Sequence, residues 1–305
     1  MRVLVTGAGG FLGSQVVREL AGRGHEVYGA DARFSGELPT GVRGVALDLR
    51  DAQAVREALA RIRPECAIHL AWYTVHGRYW TAPENLDCVS WSMGLARALA
   101  EVGCRRLVVA GTCAEYDWKH DRLQEDVTPC APTTLYGIAK DATRRVLEGF
   151  CGASGMTFAW GRIFLLYGPY EHPDRLVAHI AGGLVRGERP RCGNATLQRD
   201  FLHVSDVASA FCALAESQVE GPVNIASGVA VSIRQVADRL AVMAGRPGGV
   251  DFGASPAKMG EPPLLVADVK RLTQEVGWKP SKTLDGGLAE TLDWWKARAA
   301  KESVA

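Results

Sequence analysis

Apolar runs and amphipathic stretches alternate through the first half of this 305-residue chain. Short apolar runs bounded by glycine, proline or charged residues suit buried parallel strands. Such runs cover Val3–Val5, His25–Ala30, Arg43–Leu47, Cys66–Leu70, Arg106–Ala110 and Thr157–Ile163. Stretches with helical periodicity cover Phe11–Leu20, Ala52–Arg61, residues 83 or 84 to 102, and Tyr136 to about Phe150. This alternation predicts a doubly wound α/β fold with a parallel sheet.

The pattern changes beyond Tyr167, where prolines divide the chain into shorter elements. We interpret this part as a smaller, mixed α/β domain that closes over the first one. Ligands of doubly wound folds bind at the carboxyl ends of the strands. A cleft between the two parts is therefore the expected binding site.

Three glycines after the first predicted strand mark a candidate nucleotide site. Gly7, Gly10 and Gly13 are three residues apart and lie between the strand and the first amphipathic stretch. Glycines at such a turn let the backbone approach a pyrophosphate at a helix N-terminus. Asp31 ends the second predicted strand, 18 positions after Gly13, where an acid is placed to bind a ribose 2′-hydroxyl. The combination predicts a dinucleotide-binding turn.

Tyr136 and Lys140 are four residues apart on a predicted helix and therefore share one face. Phenols titrate near pH ~10 and lysines near ~10.4, and a neighbouring ammonium favours the phenolate. We therefore expect Lys140 to lower the pKa of Tyr136, which makes the phenol a candidate proton donor or acceptor near neutral pH. A tyrosine and a lysine at this spacing are common by chance, so the assignment depends on the glycine turn.

Composition narrows the classes of function. Hydrophobic residues make up 47% and charged residues 23% of the chain, and the net charge is +1, so no general field attracts nucleic acid or a membrane surface. No apolar run approaches the roughly 20 residues of a membrane span, and the first strand begins too early to leave room for a signal peptide. The eight cysteines include no C-x-x-C pair. We expect a cytoplasmic protein without a disulfide framework or a bound metal.

Motifs along most of the chain resemble those of extended short-chain dehydrogenases/reductases, in the NAD-dependent epimerase/dehydratase family that acts on nucleotide sugars. The motifs are Thr6-Gly7-x-x-Gly10-Phe11-Leu12-Gly13, His69-Leu70-Ala71, Gly111-Thr112, Tyr136-x-x-x-Lys140, Arg162 with Tyr167-Gly168-Pro169, Arg199-Asp200-Phe201-Leu202-His203-Val204 and Asp206-Val207-Ala208. The resemblance implies a dinucleotide-binding Rossmann domain at 1–166 plus about 204–228, and a nucleotide-sugar domain at 167–203 and 229–305. It also implies a homodimer and a nucleotide-diphosphate sugar as substrate.

The resemblance also assigns a catalytic set and a cofactor site. Thr112 hydrogen-bonds the oxygen at the reacting carbon, Tyr136 moves the proton, and Lys140 also holds the nicotinamide ribose. Asp31 favours NAD, because a carboxylate repels a 2′-phosphate, whereas Arg33 leaves NADP open. Thr112 has an alternative role as a hydroxyl that caps a turn. The implied cofactor-binding residues are Gly7, Gly10, Phe11, Leu12, Gly13, Asp31, Arg33, Asp48, Leu49, Leu70, Ala71, Tyr136 and Lys140.

The implied substrate-binding residues are Trp72, Asn85, Cys113, Leu165, Arg199 and Asp268. Arg199 suits a diphosphate clamp, since a guanidinium binds phosphate through two parallel bonds, and the alternative is an ion pair with Asp200. Asn85 either approaches the site or caps the long helix. Trp72 and the aromatic residues after it either line a sugar or base pocket or pack under a loop. Cys113 is either an acid–base group or an inert buried thiol.

The residues after Thr112 depart from the pattern of sugar 4,6-dehydratases. Those enzymes usually carry Asp-Glu or Ser-Glu after the active-site threonine, whereas Cys113 and Ala114 follow here. Glu115 comes one position later, and on an extended segment this shift points its side chain to the other face. A dehydratase is therefore disfavoured.

Two further departures concern the substrate. Leu165 stands where relatives carry an asparagine that contacts the sugar nucleotide, and Lys258 and Met259 lie near the usual place of an arginine. The missing asparagine and the aromatic residues after Trp72 favour a reductase. The sequence therefore best predicts NAD(P)-dependent hydride transfer at C4 of a nucleotide-activated sugar, by a nucleotide-4-keto-6-deoxyhexose 4-ketoreductase.

Three other functions stay open. An NAD-dependent nucleotide-sugar 4-epimerase needs the same threonine, tyrosine and lysine, and NAD suits its self-recycling chemistry. A non-catalytic NAD(P)-binding sensor is disfavoured because Tyr136 and Lys140 are both kept. A reductase of steroid-like or phenolic carbonyls is disfavoured by Arg199, since such substrates lack a diphosphate.

Overall fold

A computed structural model describes residues 1–34, 38–253 and 261–302 of the chain. Its strands are β1 (Arg2–Thr6), β2 (Glu26–Asp31), β3 (Val42–Ala46), β4 (Cys66–His69), β5 (Arg106–Thr112), β6 (Arg122–Leu123), β7 (Thr157–Ile163), β8 (Leu165–Tyr167), β9 (Gln198–His203), β10 (Gly221–Ile225), β11 (Ala230–Ser232) and β12 (Leu264–Ala267). Its α-helices are α1 (Phe11–Gly22), α2 (Ala52–Ile62), α3 (Glu84–Glu101), α4 (Leu135–Ser154), α5 (Leu176–Val185), α6 (Val204–Glu216), α7 (Ile233–Met243) and α8 (Leu284–Glu302). Among the described helices, none combines the length and apolar character needed to cross a membrane.

Seven of the described strands form one parallel sheet in the order β10-β7-β5-β4-β1-β2-β3. From the middle of the sheet, the chain runs to one edge through β1, β2 and β3 and toward the other edge through β4, β5 and β7. The direction in which strands are added therefore reverses between β1 and β4. Such a switch point leaves a crevice at the carboxyl ends of the strands. Val3 and Val5 pack on one face of the sheet and Leu4 on the other, as the unbroken apolar run of β1 requires. The predicted doubly wound Rossmann sheet is confirmed.

A smaller mixed sheet accompanies the Rossmann sheet. It has the order β11-β9-β12-β6, and β8 pairs with β9. β11 runs antiparallel to β9, whereas β12 runs parallel to β9 and β6. Helices α5, α7 and α8 share a separate apolar core that includes Ile180, Val236 and Leu288. The predicted smaller α/β part is confirmed, while its boundaries at 167–203 and 229–305 stay a prediction.

The structure moves one predicted helix end. The helix that carries Tyr136 was expected to run to about Phe150, but α4 continues past Gly152 through Ser154 and is closed by Gly155, whose φ is +74°. A glycine inside a helix costs only about 1 kcal/mol relative to alanine, so α4 tolerates Gly152. The left-handed backbone at the helix end favours glycine much more strongly.

Candidate active site

A cavity of about 870 Å³ opens at the carboxyl ends of the parallel strands, and parts of the smaller sheet complete its wall. The structure brings most of the predicted site residues together here. Those in the wall are Gly7, Gly10, Phe11, Leu12, Gly13, Asp31, Asp48, Leu49, Leu70, Ala71, Trp72, Thr112, Cys113, Tyr136, Lys140, Leu165 and Arg199. Arg33, Asn85 and Asp268 are not among the residues that line it.

The glycine turn after β1 is shaped by close approach of backbone segments. Gly7 has a φ of +71°, and a Cβ atom on it would lie 2.9 Å from the backbone nitrogen of Ala71. A Cβ atom on Gly13 would lie 1.9 Å from the Gly7 carbonyl oxygen. Gly10 precedes α1 and gives the helix no side-chain cap. This cradle fits the pyrophosphate of a dinucleotide, because a helix N-terminus offers N–H groups to an anion.

Asp31 is held at the end of β2, in the cavity wall. Its Oδ2 accepts a hydrogen bond from the Gly9 N–H at 3.0 Å, and its Oδ1 accepts one from the Arg33 N–H at 3.2 Å. The carboxylate is therefore fixed where a ribose hydroxyl can reach it. Asp48 pairs with Arg50 at 2.6 Å, and hydrogen bonding to Arg50 lowers the pKa of Asp48. Arg50 also lines the cavity, and the sequence analysis missed it.

Thr112 ends β5 and begins a single 3₁₀ turn over Cys113–Glu115. The prediction of an extended segment here is wrong. The Thr112 hydroxyl accepts a hydrogen bond from the Ala114 N–H at 3.2 Å, so it does cap the turn. Burial raises the pKa of Tyr136, and an interaction with the Thr112 hydroxyl acts in the opposite direction. One hydroxyl therefore fixes the turn and reaches the phenol.

Glu115 points away from the cavity into a buried polar cluster. Its Oε2 accepts a hydrogen bond from Arg162 Nε at 2.8 Å, and its Oε1 accepts one from Trp160 Nε1 at 2.9 Å. Both side chains of the Arg162–Glu115 ion pair are at most 1% exposed. Both Glu115 oxygens are thus engaged in holding β5 and β7 together, and Arg162 has a structural role.

Lys140 is buried at the base of the cavity. Its Nζ donates a hydrogen bond to the Ala110 carbonyl oxygen at 2.7 Å and lies 3.7 Å from the centre of the Trp72 ring. An ammonium over an indole face is stabilised by the ring quadrupole. Burial nevertheless lowers the pKa of Lys140 to about 7, against the opposing effects of Glu115 and Cys88.

Tyr136 lies inside a collar of aromatic rings. The ring centres of Trp72, Tyr79 and Trp80 lie 6.4, 4.9 and 5.7 Å from that of Tyr136, and each pair is edge-on. Burial in this aromatic collar raises the pKa of Tyr136, and the hydrogen bond with Thr112 offsets only part of the rise. The predicted lowering of the phenol pKa by the neighbouring ammonium is therefore wrong, because desolvation dominates.

Asn85 lies behind the aromatic collar. It is fully buried, and its Oδ1 accepts a hydrogen bond from Trp72 Nε1 at 2.9 Å. Its Nδ2 donates to the carbonyl oxygens of Tyr79 and Ala82 at 2.7 and 2.8 Å. It does not cap α3, whose N-cap is Pro83. Instead of facing the cavity, Asn85 fixes the indole on which the lysine rests.

The Arg199 guanidinium lies in the cavity wall and is engaged by the segment opposite. It donates to the Pro262 carbonyl oxygen at 2.9 Å and pairs with Glu261 at 3.1 Å. The alternative partner, Asp200, instead accepts a hydrogen bond from the Ser227 hydroxyl at 2.6 Å. The diphosphate clamp stays a prediction, with Glu261 as the carboxylate that a diphosphate would displace.

The other predicted substrate residues divide between wall and interior. Leu165 and Cys113 line the cavity, and burial raises the pKa of the Cys113 thiol to about 12, which favours the inert-thiol alternative. Asp268 is buried beside the smaller sheet, and its Oδ2 accepts a hydrogen bond from Gln124 Nε2 at 3.1 Å. Lys258 and Met259 lie outside the described residues.

Comparison with known proteins identifies the family. The model of the NAD dependent epimerase/dehydratase family matches residues 3–226, which is well over half of the chain. The chain belongs to this family. The predicted membership is confirmed, and so are the predictions of an enzyme and of NAD as its cofactor, since the family is NAD-dependent.

Members of the NAD-dependent epimerase/dehydratase family match the chain along nearly its whole length. The UDP-glucose 4-epimerase of Corynebacterium glutamicum is 27% identical over 93% of this chain and 92% of the relative. The probable dTDP-glucose 4,6-dehydratase of Sinorhizobium fredii is 25% identical over 97% of this chain and 93% of the relative. MoeE5, solved in complex with UDP-glucuronic acid and NAD, is 32% identical with a TM-score of 0.85, covering 98% of this chain and 100% of that one.

Six charged residues in the described cavity wall of this family member were missed by the sequence analysis. They are Arg50, Glu84, Asp87, Glu171, Arg175 and Glu261. Glu171 and Arg175 closely follow the Tyr167-Gly168-Pro169 motif, and that proximity is the one signal that could have drawn attention to them. Glu84 and Asp87 lie in the first turn of α3, and Arg50 and Glu261 become visible only through their pairing in space.

Proposed function

We propose that this enzyme interconverts the C4 epimers of a nucleotide-activated hexose, with NAD as a recycled cofactor. The coarser statement, membership of an NAD-dependent epimerase/dehydratase family, rests on the family match. The epimerase proposal is supported by full-length similarity to UDP-glucose 4-epimerases. It is supported further by similarity to MoeE5, which was also solved with UDP-glucose and NAD.

One observation carries the proposal. Thr112, Tyr136 and Lys140 share the cavity of the glycine cradle, while the carboxylate next to Thr112 is withdrawn from it. A 4,6-dehydratase needs groups that remove and return protons beside C4, and Glu115 is committed to Arg162 and Trp160. The catalytic candidates in the cavity therefore support a reaction confined to C4.

NAD, when bound, supplies the hydride acceptor and donor for C4. Thr112 donates a hydrogen bond to the C4 oxygen, and its own orientation is set by the Ala114 N–H. Tyr136 takes the proton of the C4 hydroxyl as the ketone forms and returns it when the other face is reduced. Lys140 lies on the same face of α4, where an ammonium favours the phenolate against the burial that raises the pKa of Tyr136. The aromatic collar excludes water, which strengthens these interactions.

A 4-ketoreductase is the second candidate, and the environment of Tyr136 favours it. Burial raises the pKa of the phenol and so keeps it in the proton-donating form, which is the form that a 4-keto sugar needs. Leu165 and the aromatic collar offer an apolar wall to a 6-deoxy methyl group. This function, the best prediction of the sequence, stays a prediction.

A substrate panel separates the two candidates. The enzyme is incubated with UDP-glucose, UDP-galactose or a nucleotide-4-keto-6-deoxyhexose, with trace NAD or with stoichiometric NADH or NADPH, and products are identified by proton NMR. We expect the UDP-hexoses to interconvert with trace NAD. Consumption of reduced dinucleotide only with the 4-keto sugar would establish the reductase instead, and no reaction with any of these sugars would refute both.

Replacing Tyr136 tests the catalytic assignment. Tyr136→Phe should lower kcat by at least ~100-fold, the low end for a lost general acid–base group, and leave NAD binding intact because the ring remains in the collar. Thr112→Val should lower kcat in the same assay, with Ile138→Val on the exposed face of α4 as the matched control. Unchanged turnover in Tyr136→Phe would show that another group moves the proton.

A further inference from the structure

The segment after β8 places a buried carboxyl in the cavity wall. Glu171 is only 6% exposed and lines the same cavity as Tyr136. Its Oε2 is buried and has no hydrogen-bond partner among the described protein atoms. A buried polar atom without a hydrogen-bond partner destabilises the folded protein. A carboxyl held this way in a ligand cavity therefore points to a ligand group that completes its bonding.

The surroundings of Glu171 fix where that ligand group would lie. The backbone N–H groups of Ala178, in the first turn of α5, and of Gly168 face the carboxyl. Arg175 lies beside it, with its guanidinium carbon 5.6 Å from the centre of the Tyr79 ring. That ring in turn packs at 4.9 Å from the ring of Tyr136. The unpartnered oxygen therefore lies on the side of the cavity where Arg175 and Tyr79 lead to the aromatic collar around Tyr136.

Among the described residues, Arg175 is the charged side chain that acts on Glu171. Arg175 also acts on Tyr79, and His172 follows Glu171 in the chain and lines the same cavity. Burial raises the pKa of Glu171 to about 8, while Arg175 and the two backbone N–H groups act in the opposite direction. The carboxyl therefore changes charge within the working range of most enzymes. Below about pH 8 it is mainly protonated, and above it is mainly an anion.

A hydroxyl is the sugar substituent that fits Glu171 in both states. A hydroxyl donates to a carboxylate and accepts from a carboxylic acid, whereas a sugar carboxylate has lone pairs only. A hexuronate would therefore pair with protonated Glu171 and be repelled by the ionised form. A methyl group would leave the buried oxygen without a partner at any pH.

We propose that Glu171 binds the C6 hydroxyl of the sugar and selects a neutral hexose over a hexuronate and a 6-deoxyhexose. C6 is the exocyclic carbon at which these three sugars differ. It is bonded to C5, the ring carbon next to C4. The inference rests on the proposed function, because it assumes a nucleotide sugar with C4 at Tyr136. It also favours the epimerase over the reductase of 6-deoxy sugars.

The test measures kcat/KM for UDP-glucose, UDP-glucuronic acid and UDP-6-deoxyglucose from pH 6.5 to 9, with NAD present. In the unmodified enzyme the ratio of UDP-glucose to UDP-glucuronic acid should rise by roughly 10-fold or more as Glu171 ionises. UDP-6-deoxyglucose should be poorer than UDP-glucose by roughly 10-fold, the value of one hydrogen bond to a charged group. Glu171→Gln, which keeps a donor and an acceptor but no charge, should make the first ratio independent of pH.

Glu84→Gln is the matched control, because Glu84 is a partly exposed carboxylate in the same cavity wall. It should keep the pH-dependent ratio. The inference would be overturned, with the proposed function intact, if the ratio of kcat/KM for UDP-glucose to that for UDP-glucuronic acid did not change with pH in the unmodified enzyme. The same pH dependence of this ratio in Glu171→Gln would also overturn it.

If none of the three sugars is turned over, their binding in the presence of NAD is measured by calorimetry instead. Binding that Glu171→Gln weakens for UDP-glucose more than for UDP-6-deoxyglucose supports the subsite, and absence of binding overturns both proposals.

Discussion

Lys140 offers a sharp test of the physical reasoning, because its charge is useful for catalysis and costly for folding. Its side chain is 3% exposed, and the ammonium is held by one carbonyl oxygen and one indole face. Methionine has similar length and volume without the charge. We predict that Lys140→Met abolishes turnover and raises the free energy of unfolding at neutral pH.

The magnitude follows from the pKa. In the unfolded chain Lys140 titrates near 10.5, and in the folded protein burial lowers its pKa to about 7. At pH 7 and below, both states hold the proton and the cost of the buried charge is fully present. Between about pH 7 and 10.5 the unfolded chain binds more protons, so stability rises with pH. At ~1.4 kcal/mol for each pH unit of that interval, the largest possible effect is about 5 kcal/mol.

The assay is urea unfolding of the unmodified protein, Lys140→Met and the control Lys119→Met at pH 6.5, 8 and 9.5. Because all other titrating groups are shared, the difference between proteins isolates the lysine. Lys140→Met should be more stable by about 2–4 kcal/mol at pH 6.5, and the gain should shrink steadily by pH 9.5. Lys119 is exposed, so its variant should show no such gain at any pH.

Two results would refute this reasoning. A loss of stability in Lys140→Met at pH 6.5 would mean that the carbonyl and indole contacts outweigh the desolvation of the ammonium. A gain that stays constant with pH would mean that it comes from packing and not from charge. In either case the lysine would titrate much closer to its ordinary value.

Three further predictions concern other parts of the site. Arg162→Met should destabilise the fold by about 3–5 kcal/mol in urea unfolding, because it leaves Glu115 buried without its partner, and the double variant with Glu115→Gln should recover part of the loss. Gly13→Ala should abolish NAD binding in calorimetry, since its Cβ would lie 1.9 Å from a carbonyl oxygen, whereas Gly22→Ala, which meets no atom within 4 Å, should not. Asp31→Asn should weaken NAD binding more than NADP binding, and equal losses would contradict its ribose role.

The fold was predictable because its signals are local. The central parallel strands β1, β4, β5 and β7 are largely buried and appear in the sequence as apolar runs. Gly7 and Gly13 stand where a side chain would collide with backbone. The same local rules misplaced the end of α4. A helical glycine such as Gly152 differs from a terminating one such as Gly155 only by its backbone angle, and the sequence does not show that angle.

The position of Thr112, Tyr136 and Lys140 in one cavity was also predictable, but the electrostatics of these groups were not. The spacing of Tyr136 and Lys140 places them on one face of α4, which the structure retains. Spacing cannot show how much water surrounds each group, and burial reverses the expected shift of the phenol pKa. Burial also lowers the pKa of Lys140, and the spacing of the two residues did not suggest this shift.

Contacts between distant residues lay beyond the sequence. Arg199 meets Glu261 across 62 positions, and Asn85 reaches Trp72 from the following helix. Glu171 follows a recognisable motif but has no distinctive spacing, so only its burial and its unpartnered oxygen reveal it.

The most direct measurement follows one hydrogen atom. UDP-glucose labelled with deuterium at C4 is incubated with the enzyme and trace NAD in ordinary water, and the products are analysed by NMR and mass spectrometry. We predict UDP-galactose that still carries deuterium at C4, since the hydride leaves and returns to one carbon, with no solvent hydrogen gained at C5. Loss of the label to water, or solvent hydrogen at C5, would contradict a cavity that moves hydride at C4 alone.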